Sequence, residues 1–172
     1  MKSLPMVIAM SLGSVAAADA PVPAKKSPGC TAAGYRQFDF WIGDWEVTNP
    51  QGKPAGRNHI EAILDGCAIS EHWRGASGTT GRSYSAWDAS KRRWNQYWVD
   101  TSGMVLFLTG AFTDGRMTLS GELVDAASGK RSLQRVTWTP NADGTVRQLW
   151  QGSDDDGKTW STVFDGLYRR TE

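Results

Sequence analysis

The sequence predicts an all-β protein, an antiparallel up-and-down barrel of about ten strands with a short N-terminal plug helix. Three observations predict it. Clusters of Asp, Asn, Ser and Gly recur at nearly even spacing from Asn49 onwards. The segments between them are short, rich in β-branched and aromatic residues, and show no helical period. Finally, "MVLFLTGAF" is apolar on both faces, which an open meander would leave bare at an edge, whereas closure removes edges. A two-sheet sandwich is the alternative.

The chain begins Met1-Lys2-Ser3 and continues with the apolar run "LPMVIAMSLGSVAAADA", which ends small-x-small at Ala18-Asp19-Ala20. This is the layout of a cleaved secretory signal over residues 1–20, too short and too rich in small residues for a spanning helix. It places the mature protein in the periplasm or outside the cell, with no integral membrane segment after cleavage. Residues 21–34, opening "PVPAKKSPG", read as a flexible tether. Residues 35–172 form one β-barrel domain. In an oxidising compartment the two cysteines, Cys30 and Cys67, favour a disulfide that pins the tether to an early strand. Two unrelated buried thiols are the alternative.

The plug is read from "FDFWIGDW". Phe38, Trp41, Ile42 and Trp45 fall at i, i+3, i+4 and i+7, one face of a short helix. Gly43 suits its C-terminal stop. Strands then follow as "WEVTN", "NHIEAIL", "AISEHW", "RSYSAW", "RWNQYWV", "MVLFLTGAF", "RMTLSGELV", "SLQRVTWT", "TVRQLWQ" and "STVFDGLYR". Turn residues such as Asn49-Pro50-Gln51-Gly52 and Asn141 to Gly144 separate them. In "SDDDGKTW", Ser153 and Asp155 can accept turn amides, Gly157 can take the strained position, and Trp160 can pack beneath. This is a rigid hairpin, resembling the Asp-box of sialidase-type propellers. Its acids do not follow calcium-loop spacing, and no metal site is implied.

The formal net charge of +1 argues against nucleic acid and anionic membranes as partners. No nucleophile motif, zinc motif or phosphate loop is present. His59 or His72 could ligate a haem, but a lone strand histidine is more often a surface group, so no cofactor is implied. Glu71 and His72 are adjacent on a strand and point to opposite faces, which disfavours a dyad.

The nine tryptophans carry the functional signal. Trp94, Gln96 and Trp98 share one strand face, Gln148 and Trp150 share another, and Glu71 and Trp73 a third. A dry core does not choose amides and acids at such positions, whereas a ligand cavity does. Outward placement would leave an exposed indole patch. The site is therefore read as Glu71, Trp73, Gln96, Trp98, Gln148 and Trp150, with Asn58 and Arg135 at its mouth.

Gly43-Asp44-Trp45 matches the Gly-x-Trp signature that opens the first strand of lipocalins and other calycin-type barrels. The chain from residue 21 onward is similar to a group of secreted bacterial lipocalin-like proteins of unassigned function, in which the "FDFW-GxW" opening, the Gly-Cys pair and the late Ser-Asp-Gly-Thr-Trp hairpin recur in this order. It lacks a clear Thr-Asp-Tyr turn motif. The resemblance implies a cation–π contact on Trp45 from the last strand, with Arg169 and Arg170 as candidates.

The function expected is binding of a small apolar or amphipathic molecule inside the barrel. An isomerase, cyclase or hydratase using Glu71 as acid/base is the second expectation. A ligand-free envelope interaction module, which a tightly packed interior without a cavity would favour, is the third.

Overall fold

The computed structural model describes residues 30–125 and 127–171. The signal reading of residues 1–20 and the tether up to residue 29 lie outside them. Ten strands, β1 (Gly43–Thr48), β2 (Pro54–Ile63), β3 (Ala68–Gly75), β4 (Thr80–Asp88) and β5 (Arg93–Asp100), then β6 (Val105–Thr113), β7 (Arg116–Val124), β8 (Arg131–Pro140), β9 (Val146–Ser153) and β10 (Ser161–Arg170), form the wall. Each pairs antiparallel with its sequence neighbours, and β1 pairs with β10, so the sheet closes on itself as a barrel. The sandwich alternative is thereby excluded. Among the described residues no helix is long and apolar enough to cross a membrane.

Alternation settles which face is inside. On β8, Gln134, Val136 and Trp138 are buried, and on β5 Trp94 and Gln96 are. Tyr84, Tyr97 and Phe107 lie on the opposite face and are exposed. They are cross-strand partners of one another on β4, β5 and β6, so part of the aromatic content does face solvent.

One end of the barrel is filled. Phe38 stacks on Trp41 with centroids 4.9 Å apart and meets Trp94 and Trp138 edge-on at 5.6 and 5.1 Å. The expected short plug helix is a 3-10 turn at Asp39–Trp41, preceded by one helical turn, α1 (Ala33–Arg36). Trp45 joins the cluster from β1, where its indole donates to the Trp41 carbonyl at 2.9 Å. A 3-10 turn that runs straight into a strand reproduces the apolar spacing without two full helical turns.

Gly43 is not a helix stop but the first residue of β1, at φ 146°. A Cβ there would collide with the Arg170 guanidinium, which lies 4.4 Å from the Trp45 ring centroid. The last-strand cation on Trp45 is therefore Arg170. Arg169 faces out and bonds Thr48.

Residues 30–34, assigned to the tether from sequence, are held in place. Cys30 is bonded to Cys67, and α1 begins at Ala33. Arg36 donates to the Gly66 carbonyl, tying the same segment to the β2–β3 connection a second time. In the chain-entropy account a loop of this length makes the disulfide worth about 4 kcal/mol.

Candidate functional site

Odd-numbered strands start at the plugged end, so the opposite end is framed by the connections after β1, β3, β5, β7 and β9. A cavity of about 200 Å³ lies toward this end. Trp73 comes from the last turn-ward part of β3, Trp98 from that of β5 and Trp150 from that of β9, while Phe164 comes from the start of β10. Glu71, Gln96, Gln148 and Tyr168 line it one or more residues deeper on the same strands. Leu106, Leu108 and Val136 supply aliphatic wall.

The rings lie back against the wall because the wall is thin there. Gly56 sits under the Trp73 ring and Gly81 under the Trp98 ring, each so close that a Cβ would overlap the indole. Trp73 and Phe164 meet edge-on at 5.7 Å. At the β9–β10 register shift Val163 is the extra residue, and this bulge turns it to the cavity rim although it stays half exposed.

The polar groups divide into those bonded to the wall and those open to the lumen. Trp150 donates its indole N–H to Gln134 at 2.7 Å and Trp98 to Asp100 at 3.4 Å. Gln96 donates to Ser85 at 3.1 Å, and Tyr168 donates to the Gln148 carbonyl. These bonds leave the Gln96 carbonyl and the Gln148 amide N–H without a partner among the described residues, both on cavity-lining side chains.

Glu71 is 4% exposed. Asn58 donates to its Oε1 at 2.7 Å and Ser83 to its Oε2 at 2.6 Å. Burial pushes the carboxyl from 4.5 up to about 7, because removal from water outweighs the two hydrogen bonds. Burial likewise holds the Tyr168 phenol well above its usual value, so it stays neutral. No Lys, Arg or His of the described residues lines the cavity.

Two of the residues expected at the site sit elsewhere. Asn58 is not at the mouth but buried beside Glu71, also 3.4 Å from the Tyr168 hydroxyl. Arg135 is on the outer wall. It donates to Gln151 at 2.8 Å and covers the Trp160 ring at 4.0 Å, so it cannot reach the lumen. Its strand parity, opposite to Gln134 and Val136, places it there. His59 and His72 are also outside. His59 approaches Asp44 at 2.6 Å, and the two imidazoles meet edge-on at 5.7 Å.

Sequence reasoning missed Tyr168, Phe164 and Ser83. Period two along β10 carried a signal for the first two, since both share parity with Arg170.

The late hairpin is built as its residues suggest. Asp155 accepts from the Thr159 amide and hydroxyl at 2.9 and 2.7 Å, which holds its carboxyl down at about 2. Ser153 accepts the Gly157 amide at 2.9 Å, and Trp160 donates to the Gly157 carbonyl at 3.1 Å. Its role is local, since Trp160 lies beneath Arg135 outside the barrel.

Compared with protein-family models and with curated proteins, the chain matches none.

Proposed function

We propose that this protein is a periplasmic or secreted barrel that binds a small, mostly apolar molecule in its lumen. The observation that carries the reading is the cavity of about 200 Å³, walled by Trp73, Trp98, Trp150 and Phe164 and floored by Glu71, Gln96 and Gln148. Apolar walls with a few convergent polar groups are the usual composition of a ligand site. The volume is below the roughly 300–1,000 Å³ of sites for drug-sized molecules, which favours a ligand of one ring or a short chain. The Cys30–Cys67 bridge and the leader-like start support an oxidising compartment. The Arg170–Trp45 contact supports a lipocalin-like ancestry.

Intrinsic fluorescence tests the reading, because three indoles line the cavity. Titration with a panel of small apolar compounds is expected to quench or shift emission, with the response reduced in Trp98→Ala. A panel without effect, or an unchanged response in that variant, contradicts it.

A second reading has its own observation. Glu71, with its carboxyl raised to about 7 inside a cavity, is poised as a general acid/base near neutral pH. A turnover that depends on pH and disappears in Glu71→Gln would establish an isomerase, cyclase or hydratase. The interaction-module reading would be favoured by an interior without a cavity, an observation the cavity does not supply.

A further inference from the structure

The hydrogen bonds around Glu71 suit its ionised form. Both of its oxygens accept, one from Asn58 and one from Ser83, and neither bond requires a proton on the carboxyl. A buried carboxylate normally has a cation beside it, because an unpaired charge out of water is costly. Among the described residues none lines the cavity beside it. The strands packed around Glu71 face it with Asn58 from β2, Ser83 from β4 and Tyr168 from β10, and across the lumen with Gln96 and Gln148. Tyr168 is the one titratable group among them. The neighbouring charges His72 and Arg82 belong to the outer parity of β3 and β4.

The walls complete the pattern. Trp73, Trp98, Trp150 and Phe164 surround the lumen, and aromatic faces attract cations, most strongly where water is excluded. The indole N–H groups of Trp98 and Trp150 are already bonded to Asp100 and Gln134, so what these two side chains offer a ligand is their ring surface.

We infer that the cavity takes a small organic cation, a protonated or quaternary amine on an apolar body, with Glu71 as its counter-ion. This rests on the reading of the cavity as a ligand site and names its ligand class. An anion is disfavoured in the same cavity, since it would face ionised Glu71 and no positive group of the described residues lines the cavity. A neutral ligand hydrogen-bonded to protonated Glu71 is the competing occupant, and it has the opposite pH dependence. An amine needs Glu71 ionised and displaces its proton on binding, so its affinity falls as pH falls through the range where Glu71 titrates.

The test uses the full chain and three probes followed by calorimetry: 2-phenylethylammonium, its neutral isostere 2-phenylethanol, and tetramethylammonium. At pH 8 the phenylethylammonium is expected to bind at least about tenfold tighter than the alcohol. Its affinity should fall toward about tenfold per pH unit below pH 7. Glu71→Gln, which keeps the size of the side chain, should bring amine and alcohol to similar affinity. If that variant does not fold, the pH series on the unaltered protein decides alone.

Equal or tighter binding of the alcohol at pH 8, or amine affinity that rises on acidification, overturns the inference and leaves the ligand-site reading standing. Silence from all three probes while the apolar panel responds overturns the inference alone. Silence from that panel as well removes both.

Discussion

At the plugged end Trp41, Trp45, Trp94 and Trp138 are each at most 1% exposed and pack on one another and on Phe38. At the other end Trp73, Trp98 and Trp150 are only partly buried and line a cavity. Both regions use the same side chain on the same kind of strand. The difference lies in what each ring packs against. In the plug a second ring comes from the N-terminal segment and fills the axis. Toward the open end Trp73 and Trp98 lie on Gly56 and Gly81 and, with Trp150, border a cavity. Ring count along the sequence therefore does not distinguish core from site, and the partner does.

The largest effect that would break this comparison is in the plug. Trp41→Ala is expected to cost about 3–5 kcal/mol in chemical denaturation, the range for emptying a packed aromatic site. Trp98→Ala should cost less than half as much, because its ring already borders open space. Equal losses would mean that both ends are load-sharing core. The Cys30–Cys67 bridge ranks next, since it anchors the plug segment. The double Cys→Ser variant is expected to lose about 4 kcal/mol, read as a lower denaturation midpoint.

Glu71 sharpens the comparison from the cavity side. Its carboxyl titrates at about 7 when folded and at 4.5 ordinarily, so between these values the native state holds the proton that the unfolded chain has released. Stability of the ligand-free protein should then fall as pH rises from about 4.5 to 7, by roughly 3 kcal/mol, and level off above. Glu71→Gln should flatten that slope. A slope of the opposite sign over this range would contradict the burial account. The smallest effect concerns Arg170 over Trp45, where Arg170→Met should cost about 1 kcal/mol and leave ligand response unchanged.

The barrel was legible because turn chemistry is local. Asn49, Asp100, Asp125 and Asn141 each bond backbone or side-chain groups within a few residues, so their loops can be read without the fold. The lining was legible where a polar group shared parity with an indole, as Gln96 does with Trp98. Ser83 and Ser85 illustrate what was not. Within "RSYSAW" Tyr84 and Trp87 lie on opposite faces: Tyr84 is 60% exposed, while the two serines share the parity of Trp87, which packs against the core, and face inward. They do so because Glu71 and Gln96, on neighbouring strands, need small hydroxyl partners. Their partners depend on register between strands, which one strand does not reveal, although Trp87 at the same parity marks the inward face. Asn58 was misplaced in height for a related reason. How deep a residue sits follows from the tilt and stagger of the closed sheet, which a single strand does not reveal. Arg135 could have been placed, since its parity opposes that of Trp138 on the same strand.

The most direct measurement is an NMR titration of the nine indole N–H signals, assigned by single Trp→Phe variants, with 2-phenylethylammonium at pH 8. Shifts confined to Trp73, Trp98 and Trp150, with Trp41, Trp45, Trp94 and Trp138 unmoved, are what a plugged barrel with one cavity produces. Shifts spread over the plug, or centred on Trp160 outside the wall, would contradict it.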